Sequence, residues 1–115
     1  MKKISELSET DFDRAIAELN GPAVIDFFAP WCGPCLMIAP LLEKFAADFA
    51  GRVRFFKVDV EKSPALAQQF GIAGVPTLLF FANNELRDTM VGFTSPSELM
   101  AKIEALTANA NEVRL

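Results

Sequence analysis

Ala23-Val24-Ile25-Asp26-Phe27-Phe28-Ala29-Pro30-Trp31-Cys32-Gly33-Pro34-Cys35 is the stretch on which the fold turns. Residues 23 to 29 form a nearly unbroken apolar run, the pattern of a strand covered on both faces. Gly33-Pro34 is turn chemistry, and Pro34 suits the first position of a helix, where a missing N–H costs no bond. A helical pattern follows from about Pro34 to Phe49 and is ended by Gly51. A buried strand turning into a long helix, with both cysteines of the chain at the junction, reads as the start of a βαβ unit.

Outward from that unit, Ser8 to Leu19 reads as an amphipathic helix. Ser8 or Thr10 can cap it, and Phe12, Ile16 and Leu19 fall on one face. Asn20-Gly21-Pro22 stops it. Val53 to Val60 is a second buried strand. Ser63-Pro64, a cap and a first-turn proline, starts a short helix that ends at Gly71. Thr77 to Phe81 is a third strand, and Asn83-Asn84 a hairpin turn, since Asn tolerates positive φ. Glu85 to Val91 returns antiparallel, and Gly92 breaks it. Ser95-Pro96 opens a last helix to about Leu106, with Leu99, Ile103 and Leu106 inward. The expected boundaries are one domain over residues 1–106 and a polar, frayed tail over 107–115. The order β-α-β-α-β-β-α after the first helix predicts a central mixed β-sheet with helices on both faces, a three-layer α/β/α architecture.

Composition agrees. The chain has 115 residues, 51% of them hydrophobic and 11 of them Phe, enough for one packed core. The net charge of −4 argues against nucleic acid, which rewards a basic face. No apolar run approaches the roughly 20 residues of a membrane helix. Met1-Lys2-Lys3 is basic, but acids follow and no apolar signal region does, so the expected compartment is the reducing cytoplasm. There a cysteine pair is more often catalytic or metal-binding than structural.

Counting separates those uses. A structural zinc site wants four Cys or His ligands, and the chain has two Cys and zero His, so no metal is expected. A disulfide closing so short a loop contributes only about 2 kcal/mol through the unfolded chain. Two unreactive core cysteines remain one reading; the Gly33-Pro34 turn between them, in a βαβ context, favours the other, a dithiol–disulfide switch. Cys32 is placed at a helix N-terminus, where unpaired N–H groups and the helix dipole favour thiolate. It is expected to be the exposed nucleophile, with Cys35 the covered, resolving thiol in the first turn. Trp31 flanks the pair as a rigid apolar wall.

Asp26 is the odd residue of its strand. In an apolar run it is expected to be buried, which raises a carboxyl pKa toward the range useful for proton transfer. A buried acid with a purely structural role is the alternative. Lys57 shares a strand face with Val53 and Phe55, and a snorkelling edge lysine is one reading of it. Pro40 removes the N–H bond to Leu36 and is expected to kink its helix. From residues alone, Val75-Pro76 is expected to be trans.

Taken together, Trp31-Cys32-Gly33-Pro34-Cys35, the preceding Val24 to Pro30, Met37-Ile38-Ala39-Pro40, Lys57-Val58-Asp59 and Gly74-Val75-Pro76-Thr77 resemble the thioredoxin family over roughly residues 5 to 106. The resemblance implies a thioredoxin-like fold and protein-disulfide reduction with no bound cofactor. It implies that Asp26 lies beneath Cys35 and helps deprotonate it, with Lys57 tuning Asp26. It also makes Val75-Pro76 cis, opposite the cysteines. The implied substrate-binding residues are Trp31, Gly33, Pro34, Gly74, Val75, Pro76, Gly92 and Phe93. The implied partners are disulfide-containing proteins and a thioredoxin reductase, either an NADPH flavoprotein or a ferredoxin-linked enzyme, meeting a monomer. Three positions depart from the family. Phe28 stands where many members have Trp, Leu36 where Lys or Arg is common, and Phe93 where a small residue is usual. Leu36 and Phe93, if exposed, make the docking rim more apolar and less positive. Rival readings are a disulfide oxidase or isomerase, which usually carries His between its cysteines, and a non-enzymatic binding subunit.

Overall fold

The computed structural model describes residues 4–19, 21–93 and 95–112. Its elements are β1 (Ser5–Glu6), α1 (Phe12–Ala17), β2 (Ala23–Phe28), α2 (Gly33–Asp48), β3 (Arg54–Asp59), α3 (Pro64–Gln69), β4 (Thr77–Ala82), β5 (Glu85–Val91) and α4 (Pro96–Glu112). The strands form one sheet in the order β1-β3-β2-β4-β5. β3 pairs parallel with both β1 and β2, while β4 runs antiparallel to β2 and β5. The expected mixed sheet is therefore present.

Strand parity explains the layers. Successive side chains of a strand leave on opposite faces. Val24, Phe55, Leu78 and Phe80 join α2 residues Ile38, Leu42 and Phe45 and α4 residues Leu99, Ile103 and Leu106 in one buried cluster. Ala23, Ile25, Phe27, Phe56, Val58, Leu79 and Phe81 join Phe12 of α1 and Leu66 of α3 in the other. Fully burying each of Leu99, Ile103 and Leu106 contributes about 1.5–3 kcal/mol. By the same parity Asp26 leaves β2 on the α2 face, and its register partner across the parallel ladder is Lys57.

The turns follow their chemistry. Asn83 and Asn84 have φ of 55° and 66°, the left-handed geometry of a two-residue hairpin. Gly51, at φ 85°, takes the chain out of α2. Val75-Pro76 is cis, as the family resemblance implied and against the expectation from residues alone.

The elements differ from the sequence reading in four main ways. β1 was not expected, because two polar residues carry no periodicity. α1 begins at Phe12 and not Ser8. The Asp11 carboxylate accepts the Ser8 backbone N–H at 2.6 Å and its hydroxyl at 3.0 Å, holding residues 8–11 as a turn ahead of the helix. Ser63 precedes α3, yet its side chain makes no capping bond. α4 continues to Glu112, because residues 107–112 contain two Ala and no Gly or Pro to end it. The last helix therefore runs six residues past its expected end at about Leu106. Residues 113–115, Asn20 of the first helix stop and Met1-Lys2-Lys3 lie outside the described residues.

β5 is one edge of the sheet. Only Met90 of its seven residues is buried, and the β4–β5 register shifts between Phe80 and Phe81. β1 is the other edge, two residues long.

Candidate active site

Cys32 and Cys35 are joined as a disulfide at the start of α2, with Cα atoms 5.2 Å apart, within the usual span for such a bridge. The placement is local chemistry. The Cys32 N–H bonds the Ala29 carbonyl at 3.1 Å, turning the chain out of β2. Cys32 is the N-cap of α2, and its Sγ accepts the Cys35 N–H at 3.1 Å. That N–H is one of the donors a helix start leaves unpaired.

One expectation about the pair is corrected. Cys32 is not exposed: both cysteines are only 4% accessible, packed with Ala29 and against Phe28, Val60 and Val75. Val60 and Val75, far away in the chain, provide part of this cover, which local sequence did not show. Cys32 differs from Cys35 in its polar contacts. The Val75 carbonyl oxygen lies 3.7 Å from Cys32 Sγ.

The loop bearing Val75 is pinned from both sides. Thr77 Oγ1 donates to the Gly74 carbonyl at 2.7 Å, and the Gly92 N–H donates to the Pro76 carbonyl at 2.8 Å. Gly92 has φ 79°, a conformation that most side chains resist. Next to this loop runs a groove of about 570 Å³. Pro34, Met37, Ile38 and Leu41 form one wall, and Val75, Pro76, Gly92, Phe93 and Pro96 the other. Five of the eight substrate-binding candidates, Pro34, Val75, Pro76, Gly92 and Phe93, line it. Trp31, Gly33 and Gly74 do not.

Leu36 and Phe93 separate. Leu36 is 62% exposed on the rim, whereas Phe93 is half-buried against the core cluster under α2 and α4. Leu36 is thus the exposed one of the two, and Phe93 both packs on the core and lines the groove. Pro40 lies inside α2, which continues past it to Asp48.

Asp26 is buried, with 6% of its surface accessible, and its Oδ1 has no hydrogen-bond partner among the described groups. Burial pushes its pKa from 3.8 up to about 7, while the nearby positive charge of Lys57 pulls it back. Lys57 is half-buried, and its ammonium lies 5.5 Å from the centre of the Phe28 ring. It is thus neither free at the edge nor fully paired.

Trp31 is 68% exposed, yet its indole N–H donates to the Glu61 carboxylate. Glu61 was missed in the sequence. It sits in a turn set by buried Asp59, whose Oδ1 accepts the N–H groups of Glu61 at 2.8 Å and Lys62 at 3.4 Å. The signal available was Asp59-x-Glu61 just past a buried strand, where Asp commonly bonds backbone two residues on. Trp31 is the sole Trp and the chain has no Tyr, so the protein's indole fluorescence comes from this one side chain. Glu61→Ala is expected to shift the Trp31 emission and raise its mobility in fluorescence anisotropy. Unchanged spectra would show that the carboxylate does not hold the ring.

The sequence model of the thioredoxin family matches residues 3–105. Thioredoxin of Haemophilus influenzae is 38% identical over 99 residues, covering 86% of this chain and 92% of that protein. Thioredoxin of Pseudomonas aeruginosa is 33% identical over 102 residues, covering 89% and 94%. The chloroplastic M-type thioredoxin of Pisum sativum is 35% identical over 104 residues, covering 90% of this chain and 60% of that protein. The chain thus spans about six tenths of the length of that chloroplastic relative.

Proposed function

The chain belongs to the thioredoxin family, and from that membership we propose that it is a general protein-disulfide reductase working by dithiol–disulfide exchange. The observation that carries the proposal is the Cys32–Cys35 disulfide at the start of α2, beside an apolar groove. In the reduced protein, Cys32 thiolate attacks one sulfur of a substrate disulfide. A mixed disulfide forms and the other substrate sulfur leaves as thiolate. Cys35 thiolate then attacks Cys32 Sγ, releasing the second substrate sulfur. The substrate gains two electrons, and the protein is left with the bridge seen here.

The roles of the surrounding residues follow from their chemistry. The Cys35 N–H, which faces Cys32 Sγ, favours thiolate at the attacking position. Asp26, titrating near neutrality, takes the Cys35 proton, and Lys57 limits how far its pKa rises. The Val75 backbone hydrogen-bonds an extended substrate segment laid along the groove, a form of strand addition. Gly74 and Gly92 keep the rim low, while Gly33 and Pro34 set the turn between the cysteines. Trp31 forms a rigid wall beside them.

The oxidised bridge requires an external reductant, which we assign to a thioredoxin reductase, either an NADPH flavoprotein or a ferredoxin-linked enzyme. The protein then acts as a monomeric electron carrier in the reducing cytoplasm. No helix among the described residues is long and apolar enough to cross a membrane. The working domain is residues 1–106. Leu106 is the last buried residue of α4 whose side chain is described.

Purified protein is expected to accelerate insulin reduction by dithiothreitol, seen as earlier turbidity from the released B chain. A lag equal to that of dithiothreitol alone would sink the reductase reading.

A further inference from the structure

We propose that Met37 is an oxidation site whose sulfoxide weakens substrate docking. The proposal rests on the reading that the groove beside the cysteines takes substrate.

Two observations meet at this residue. The first is access. Met37 is 80% exposed, Met90 is 4% exposed, and Met100 is packed against the core under α4. In the oxidised protein both cysteines are held in the bridge and none is free. A peroxide meeting this form finds no thiolate, and Met37 is the open sulfur among the described residues. Susceptibility of a thioether follows such exposure.

The second is position. Met37 lines the groove together with Pro34 and Ile38 of α2 and with Val75 and Phe93. No side chain lining the groove carries a hydrogen-bond donor. The thioether sulfur takes one oxygen atom from hydrogen peroxide. The O–O bond breaks, sulfur loses two electrons and water leaves. The product is a polar, chiral S=O where an apolar, adaptable side chain stood. A substrate segment closing over it has to desolvate an acceptor that no groove side chain can pair, which opposes docking. The bridge chemistry at Cys32 and Cys35 is untouched, so the effect falls on binding and not on the exchange steps.

The test treats the oxidised, full-length protein with hydrogen peroxide and maps its peptides by mass spectrometry. One oxygen is expected on Met37 before any appears on Met90 or Met100. The KM for insulin reduction is then expected to rise roughly five- to 150-fold, the range for burying an unpartnered polar group in proteins, with kcat unchanged. Methionine sulfoxide reductase is expected to restore it. Met37→Leu, compared with its own untreated form, is expected to show no change on peroxide treatment. Oxygen appearing first on Met90 or Met100 overturns the proposal. So does Met37 fully oxidised with KM unchanged, or a KM rise that persists in Met37→Leu, which traces to Trp31. Absence of reductase activity in the untreated protein would instead overturn the proposed function, and the peptide map still decides whether Met37 is the oxidation site.

Discussion

Cys35→Ser is expected to turn the protein from a catalyst into a covalent trap. Cys32 still attacks a substrate disulfide, but the mixed disulfide has no neighbouring thiol to resolve it. Insulin turnover should fall by roughly 10³-fold or more, the scale of losing a group that acts in an obligatory step. Non-reducing gels should show a stable adduct that dithiothreitol releases. Cys32→Ser should lose turnover equally and form no adduct. The asymmetry rests on placement: Cys32 is the N-cap whose sulfur receives a backbone N–H, and Cys35 is the donor of that N–H one turn in. Equal adducts from the two variants, or none from Cys35→Ser, would reverse or remove the assignment of nucleophile and resolver. Neither serine disturbs the core much, because the bridge closes a loop too short to stabilise the fold strongly.

Asp26→Asn should stabilise the protein while slowing it. The carboxyl pKa rises from 3.8 to about 7 on folding, chiefly by burial. The native state therefore holds a proton that the unfolded chain releases between those values, and stability falls as pH climbs through that window. Above pH 7 the loss is complete and amounts to about 4 kcal/mol, at 1.36 kcal/mol per pKa unit. The asparagine variant carries no charge to desolvate. Its advantage in urea unfolding should be small near pH 4, grow through pH 5.5 and level off above pH 7. An advantage independent of pH would show that packing, and not ionisation, sets the difference. The same variant should lengthen the life of the mixed disulfide roughly ten- to hundredfold at pH 7, since it cannot accept the Cys35 proton.

Much of this arrangement was readable from local chemistry. The seven-residue apolar run around Asp26 dictated a strand buried on both faces, and with it a buried acid. Asn83-Asn84 specified its hairpin through φ, and Ser95-Pro96 opened the last helix. What escaped was set by distant packing or by the lack of any period. β1 is too short to show alternation. Burial of Cys32 depends on Val75, a residue 43 positions away, and on the loop that Gly92 and Thr77 hold in place. Leu36 and Phe93 carry the same apolar character in sequence, yet one faces solvent and the other packs against the core. The cis Val75-Pro76 bond was legible only through the family resemblance, because residue statistics alone favour trans. Glu61 went unnoticed because a surface acid after a strand is ordinary until its indole partner is placed beside it.

The two ends of the sheet are blunted by different means. An exposed strand edge offers a row of unpaired backbone groups to any passing chain and invites fibre growth. β1 answers with brevity, having only Ser5 and Glu6 to offer. β5 answers with charge and irregularity. It exposes Glu85, Arg87 and Asp88, its ladder slips one residue beside Phe80 and Phe81, and Lys102 of α4 bonds Asp88 at 2.8 Å. A second copy aligning there has to desolvate these charged side chains and meets a broken register. Backbone pairing is thereby discouraged at both sheet ends, so on the proposed reading the loop at Val75 is left to accept a single strand without the molecule being drawn into a continuous sheet with its own kind.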